Sequence, residues 1–511
     1  MNRAATAAVV ALLVAASDAR AMNLADAIAL AYQSNPTLQS QRAQLRGVDE
    51  GLVQARAALG PTASVQVSST YQNTRLGYAS PLEANSGQAQ LTVSQSLYSG
   101  GRNALEIAAA RDQIAASRQS LRATEGNLML AVIQAYADVV RDTSALEVRA
   151  KNLKVLSDQV TETRVRVKDG ELTLTDVAQA EAQLAAEHAL YSTAQGQLQI
   201  SRGQYATVVG ANPDSLEPPP LLPGLPTTVD DAFTVAEADS PERLQALYSE
   251  ETSHERVRAA RSVYRPTVSA QIVAGYSGPA TPFGVKHEER SVVGEIVISQ
   301  PLFTSGLIGS QVRQALDQNT SDRIGIETTR RTEVQNVANA WNQILVSRTN
   351  VESEKEQIRA ANIAYTGMRI EYRAGLRATL DVLIAEETLR DAELALLAAR
   401  HDQYVAEATL LRVIGRLDAP DLVAGLPQYD VAENLRHIER QGAVPWMPVV
   451  QAIDALGAPG AGEHAIPAPA PAAVGAALAP PNPIRPDGAL IETLPVVPVP
   501  GTVSGEPPPG R

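Results

Sequence analysis

Gln95-Ser96-Leu97-Tyr98-Ser99-Gly100-Gly101 closes one alternating segment of this 511-residue chain, and Gln300-Pro301-Leu302-Phe303-Thr304-Ser305-Gly306 closes another. The two stretches lie 205 positions apart, and further paired motifs share that offset. Asn35-Pro36 returns as Ser240-Pro241, Gly60-Pro61 as Arg265-Pro266, Tyr71 as Tyr276, and Ala135-Tyr136 as Ala340-Trp341. Gly170 returns as Gly375, Asp176-Val177 as Asp381-Val382, and Val209-Gly210 as Ile414-Gly415. Chance matches scatter in offset, so one structural unit has been duplicated across roughly 24–210 and 229–415.

Within each unit the hydrophobic period changes. Ala63, Val65 and Val67 alternate with polar residues, as do Leu91 and Val93. Val268, Ala270, Ile272, Ile296 and Ile298 repeat the pattern, which predicts β-hairpins over 61–98 and 266–303. Strands of about 11 residues suit a tilted membrane β-strand of 9–11 residues. Polar stretches at 73–87 and 277–290 read as loops, and Tyr71, Tyr98, Tyr276 and Phe303 as aromatic strand ends. Beyond each hairpin the period becomes seven. Val132, Val139, Leu146, Leu153, Val160 and Val167 form one stripe, and Val337, Ile344, Val351, Ile358, Tyr365 and Tyr372 another. Long helices are expected over 102–168 and 307–373, each ~100 Å at ~1.5 Å per residue. The chain reverses at Gly170 and Gly375, and returning helices are expected over 172–209 and 377–414. A helix over 24–58 placed end to end with the first returning helix matches the long one in length.

Composition removes whole classes. With no cysteine there is no disulfide, thiolate metal site or cysteine nucleophile, and the six histidines form no ligand-spaced cluster. A formal charge of −13 argues against nucleic acid or anionic lipid as a partner, since either would need clustered Lys and Arg to neutralise phosphates. No nucleophile, metal or phosphate motif supports an enzyme, and no cofactor is implied. Met1-Asn2-Arg3, an Ala-rich apolar run and Ala19-Arg20-Ala21 read as a signal peptide over 1–21. No later run has the ~18 apolar residues of a membrane helix, so entry into a bilayer would be by strands.

Four strands per chain leave open edges, and unpaired backbone groups in lipid cost several kcal/mol each. Oligomerisation is therefore expected. Two chains would close eight strands, filled by side chains; three would close twelve and leave a lumen lined by Gln90, Thr92 and Glu295. The expectation is an α+β membrane protein, a trimeric twelve-stranded transmembrane β-barrel continued by a long periplasmic α-helical barrel. Repeat 1 spans 22–210 and repeat 2 spans 229–415. Segments 211–228 and 416–450 are expected in an equatorial collar, and 451–511, rich in Pro and Ala, as a disordered tail. The rival reading is a periplasmic coiled-coil scaffold without a pore, which leaves the two hairpins unexplained.

At this point the residues resemble the TolC family of outer-membrane efflux proteins over nearly all of 24–415. The features are Ser34-Asn35-Pro36, the Gln300-Pro301-Leu302-Phe303 strand end, the Ala-Tyr/Ala-Trp site and the Gly170-x-x-Thr173-x-x-Asp176-Val177 turn. The resemblance implies a homotrimer in outer-membrane lipid that docks onto a periplasmic adaptor (membrane fusion) protein and an inner-membrane transporter of RND or ABC type. The cargo would be drugs, other small molecules or secreted proteins. It also implies a periplasmic constriction in which Asp176, Tyr372 and Arg377 form polar links and Asp381 contributes to a carboxylate ring. Gly170, Leu172, Thr173, Gly375 and Leu376 match the positions that meet adaptor tips. Thr173-x-x-Asp176 also reads as a capping box, a purpose less available to Asp381 because Ala378 stands at its cap position. Ile384 replaces a second acidic residue of the family pattern.

Overall fold

The computed structural model describes residues 22–462, apart from 75, 76, 78–81, 282, 283, 286–288, 424, 440 and 443. The signal-peptide reading at 1–21 and most of the expected tail lie outside the described residues. Helix α1 (Leu24–Ser34) and helix α2 (Pro36–Ala57) lead into strand β1 (Pro61–Thr74) and strand β2 (Leu82–Tyr98). The long helix α3 (Arg102–Lys168) and returning helix α4 (Leu174–Val209) complete the first repeat. The second repeat comprises α5 (Val229–Asp239), α6 (Pro241–Ser262), β3 (Thr267–Thr281), β4 (Gly284–Val285), β5 (Glu289–Ser299), α7 (Leu307–Arg373) and α8 (Thr379–Val413). Short helices α9 (Ala419–Leu422), α10 (Glu433–Ile438) and α11 (Met447–Ala455) follow.

The helix expected over 24–58 is two helices. Pro36 has no N–H to continue α1 and sits at the first turn of α2, where none is needed. Asn35 caps α2 through Oδ1, which accepts from the Thr37 and Leu38 amides, while its Nδ2 donates to Val208 O at 3.0 Å. One side chain thus caps the start of α2 and the end of α4. Returning helix α4 starts at Leu174 rather than 172, because Thr173 is its N-cap. Helix α8 likewise starts at Thr379 rather than 377.

The main sheet runs β1-β2-β3-β5, every neighbour antiparallel, with β4 pairing off the far end of β3. Register puts Val65, Val67, Leu91, Val93, Ile272, Ile296 and Ile298 on one face and Gln66, Gln90, Thr92, Gln271 and Glu295 on the other. Val273, Val293 and Val297 interrupt the polar face. The apolar face is bare in the single chain, with Val67 76% exposed, as a lipid-facing surface would be. The ladder outruns the expected strands. β1 and β2 pair as far as Thr74↔Leu82, since polar side chains do not prevent backbone pairing once a strand leaves the apolar zone. β5 stops at Ser299 instead of 303, because Pro301 cannot donate to a ladder.

The principal core lies around the middle of α3. Tyr136 and Tyr205 are fully buried with ring centroids 6.4 Å apart, and the Tyr136 hydroxyl donates to Glu217 O at 2.6 Å. Leu216, Leu222 and Leu225 of the linker and Leu417, Leu422 and Tyr429 of the C-terminal segment pack there with Leu24, Ile28 and Tyr32. The remainder of the C-terminal segment leaves that level, contrary to the expected collar. Leu435, Met447 and Val450 pack with Leu52, Leu59, Ile107 and Ile114, next to the strand ends. Nor does the ordered chain end at 450. Asp454 is buried and accepts from Ser99 N (2.6 Å), Ser99 Oγ (2.8 Å), Gly101 N (3.3 Å) and Ala104 N (3.1 Å).

Candidate functional site: the paired helical turns

Sequence-matched reversals join α3 to α4 and α7 to α8. At the first, Gly170 has φ +76°. Its amide donates to Val167 O at 3.1 Å and the Glu171 amide reaches back to Arg166 O at 2.9 Å. At the second, Gly375 has the same φ, Gly375 N donates to Tyr372 O at 3.0 Å, and Leu376 N to Glu371 O at 2.9 Å. Both are Schellman caps, in which a left-handed residue lets two amides satisfy the last helical carbonyls. A Cβ would meet nothing within 4 Å at either glycine, so backbone conformation rather than space selects glycine.

The polar side chains divide into two sets. Asp176 completes a capping box: its Oδ2 accepts from Thr173 N at 3.0 Å and Thr173 Oγ1 at 2.8 Å, and its own amide donates to Thr173 Oγ1 at 3.4 Å. These bonds from Thr173 hold the Asp176 carboxyl below its ordinary range, and the nearby Thr379 hydroxyl adds to the effect although it falls short of a hydrogen bond. Asp381 caps as well, because its Oδ2 accepts from Ala378 N at 3.3 Å. The methyl side chain of Ala378 removes only the reciprocal half of the box. Tyr372 is 3% exposed and the Arg166 guanidinium lies 4.8 Å from its ring centroid, which couples the two reversals by a cation–π contact. Its hydroxyl makes no hydrogen bond within the chain. Arg377 is exposed, and its Nε bonds Glu371 Oε2 at 2.8 Å. Asp176, Tyr372 and Arg377 are therefore not linked to one another within one chain. Gly170, Thr173, Gly375 and Leu376 are exposed and Leu172 is half-buried.

Behind the turns is a charged cluster that sequence reasoning missed. Glu187 of α4 is buried and bonds Arg390 of α8 at 2.8 Å and Arg149 of α3 at 3.4 Å. Beside it, burial pushes the Glu386 carboxyl up to about 7 against the pull of Arg369 and Arg390, with Glu187 adding to the rise. A signal existed: Leu184, Glu187 and Tyr191, like Leu383, Glu386 and Arg390, are spaced three and four apart, so the charges stand on core stripes. Among the described residues no cluster of His, Asp or Glu is placed to hold a metal, and no helix is long and apolar enough to cross a membrane.

The family model described as outer membrane efflux protein matches residues 27–211 and 234–416, the two repeats found above. The chain belongs to the outer membrane efflux protein family. Among its relatives, the outer membrane efflux protein BepC of Brucella suis is 30% identical over 416 residues, covering 81% of this chain and 90% of that protein. The outer membrane protein TolC of Escherichia coli is 26% identical over 429 residues, covering 79% of this chain and 84% of TolC. The fold is shared with the crystal structure of the outer membrane protein VceC from Vibrio cholerae, with a TM-score of 0.66 and 22% identity over 77% of this chain and 96% of VceC. For a family member, the sheet with an apolar outer face is the chain's third of a trimeric twelve-stranded barrel in the outer membrane, and the helices are its share of the periplasmic tunnel.

Proposed function

We propose that this efflux channel receives cargo, small molecules or secreted proteins, from an inner-membrane RND or ABC transporter. In this reading a periplasmic adaptor docks on the turns at Gly170–Thr173 and Gly375–Leu376. The observation that carries it is the placement, in one chain, of a sheet with an apolar outer face at one end of two 67-residue helices and of two matched reversals at the other. Glycine turns of this kind leave short, exposed backbone loops on which another helical hairpin can rest.

The closed entrance is held in the trimer by polar links of Asp176 with Tyr372 and Arg377, and Asp381 rings the axis. Support comes from Arg377, which is exposed and holds only an exposed Glu371 that it can exchange for a neighbour's carboxylate. Threefold repetition of Asp381 sets three carboxylates around the axis and favours cations there. The test is single-channel recording of Asp176→Ala/Arg377→Ala. Because contacts that narrow the entrance are gone, conductance is expected to rise severalfold over the parent; equal conductance removes these residues from the gate.

A further inference from the structure

The C-terminal segment has properties that neither the channel wall nor the turns use. From Gln441 to Gly462 its only charged residue is Asp454, and that carboxylate is buried against the junction between β2 and α3. Helix α11 turns Met447, Val450 and Asp454 inward. Its other side carries Trp446 (49% exposed), Val449 (61%), Ile453 (42%) and Leu456 (82%). Steps of three, four and three put these four on one stripe. A helix on a water-facing surface ordinarily shows charge there, and this one shows a tryptophan and three aliphatic side chains.

The position of the stripe is fixed by one hydrogen bond. Trp446 Nε1 donates to Gln95 Oε1 at 3.0 Å. Gln95 pairs with Pro61 and Ala270, two residues along β2 from Val93, and so belongs to the apolar outer face of the sheet at its helix-proximal rim. Helix α11 therefore lies outside the barrel wall, level with the end of its lipid-facing band. Indole rings that are apolar over the body and polar at Nε1 settle at that level, between headgroups and acyl chains.

We propose that α11 is a membrane anchor outside the barrel, its Trp446-Val449-Ile453-Leu456 stripe seated in the periplasmic leaflet of the outer membrane. The occupant is lipid, because the stripe is continuous with the barrel's own lipid face and carries no charge to select a protein. The anchor rests on the reading of that face as lipid-covered. Among the described residues it belongs to repeat 1 alone: in the single chain the equivalent junction of repeat 2, at Leu302 and Phe303, is almost fully exposed.

The chain has two tryptophans, so Trp341→Phe leaves Trp446 as the sole indole emitter in the full-length trimer. In vesicles of phosphatidylcholine brominated near the headgroup end of the chains, Trp446 emission is expected to fall about twofold relative to unbrominated vesicles. A Leu91→Trp reporter with both natural tryptophans replaced by Phe monitors the barrel face. If Leu91→Trp is quenched and Trp446 is not, the anchor is overturned while the barrel stands; if neither is quenched, both fall. As Trp341 packs in the principal core, a second probe leaves it intact. Val449→Cys bearing a fluorophore should be quenched by nitroxide-labelled lipid, and an unquenched label overturns the anchor. Disulfide formation between chains in a Val449→Cys/Phe303→Cys variant would instead place the stripe on a neighbouring copy, and also overturns it.

Discussion

Glu386 sits, like Glu333, in an environment that departs far from what its charge prefers. An exposed glutamate ionises near 4.5, whereas burial holds this one up to about 7. Between those values the folded chain keeps a proton that the unfolded chain has released, so the stability this site contributes at low pH is lost as pH rises through that window. Above about 7 the loss is complete and constant. Glu386→Gln removes the penalty: its melting temperature should exceed the parent's by about 1–2 °C at pH 8 and match it near pH 4.5, as differential scanning would show. Equal melting temperatures at pH 8 would remove the penalty assigned to Glu386. Residue-scale chemistry was legible in part. Thr173 and Asp176 announced their capping box, since cap and carboxylate are three apart in the chain. The Glu187–Arg390 pair was not announced as a pair, because its members are 203 positions apart and meet only when α4 packs beside α8.

Among elements, the long helices were the most legible, since a seven-residue stripe has one structural meaning and a glycine in a left-handed cap ends each run. The break at Asn35-Pro36 is visible as a motif, yet the apolar period continues across it and so predicts one helix. The C-terminal clasp was illegible. Asp454 stands alone in an apolar stretch, and its donors Ser99, Gly101 and Ala104 are at least 350 residues away. Close approach completes the clasp: a Cβ on Gly101 would come within 2.3 Å of Gly457 C, and the Arg265 guanidinium bonds both Gly100 O and Gly457 O. Asp454→Ala leaves buried amides without acceptors and should cost about 3 kcal/mol. Limited proteolysis should then cut the segment after Tyr429 while the tryptic pattern of α3 and α7 is unchanged. A segment as resistant as the parent's would show that Asp454 is not what holds it.

At the scale of the whole molecule, the duplication fixes a common frame in which the differences between copies stand out. Both copies keep the capping carboxylate, as Asp176 and Asp381, whereas Val167 and Leu172 of the first copy are replaced by Tyr372 and Arg377 in the second. The sheet decides between a channel and a scaffold without a pore. A scaffold needs only the heptad helices, so deletion of Ser64–Ser94 would leave it folded, trimeric and extractable from membranes. For a barrel, the deletion removes most of β1 and β2, and the product should neither insert nor form a detergent-resistant trimer. Gel filtration and membrane flotation separate the two.

The pore itself is most directly tested by adding the purified full-length protein to a planar lipid bilayer under voltage. Three chains that close a polar-lined barrel should enter as uniform, cation-preferring conductance steps, one per trimer. A protein that inserts as a trimer and carries no current would contradict the existence of a conduit.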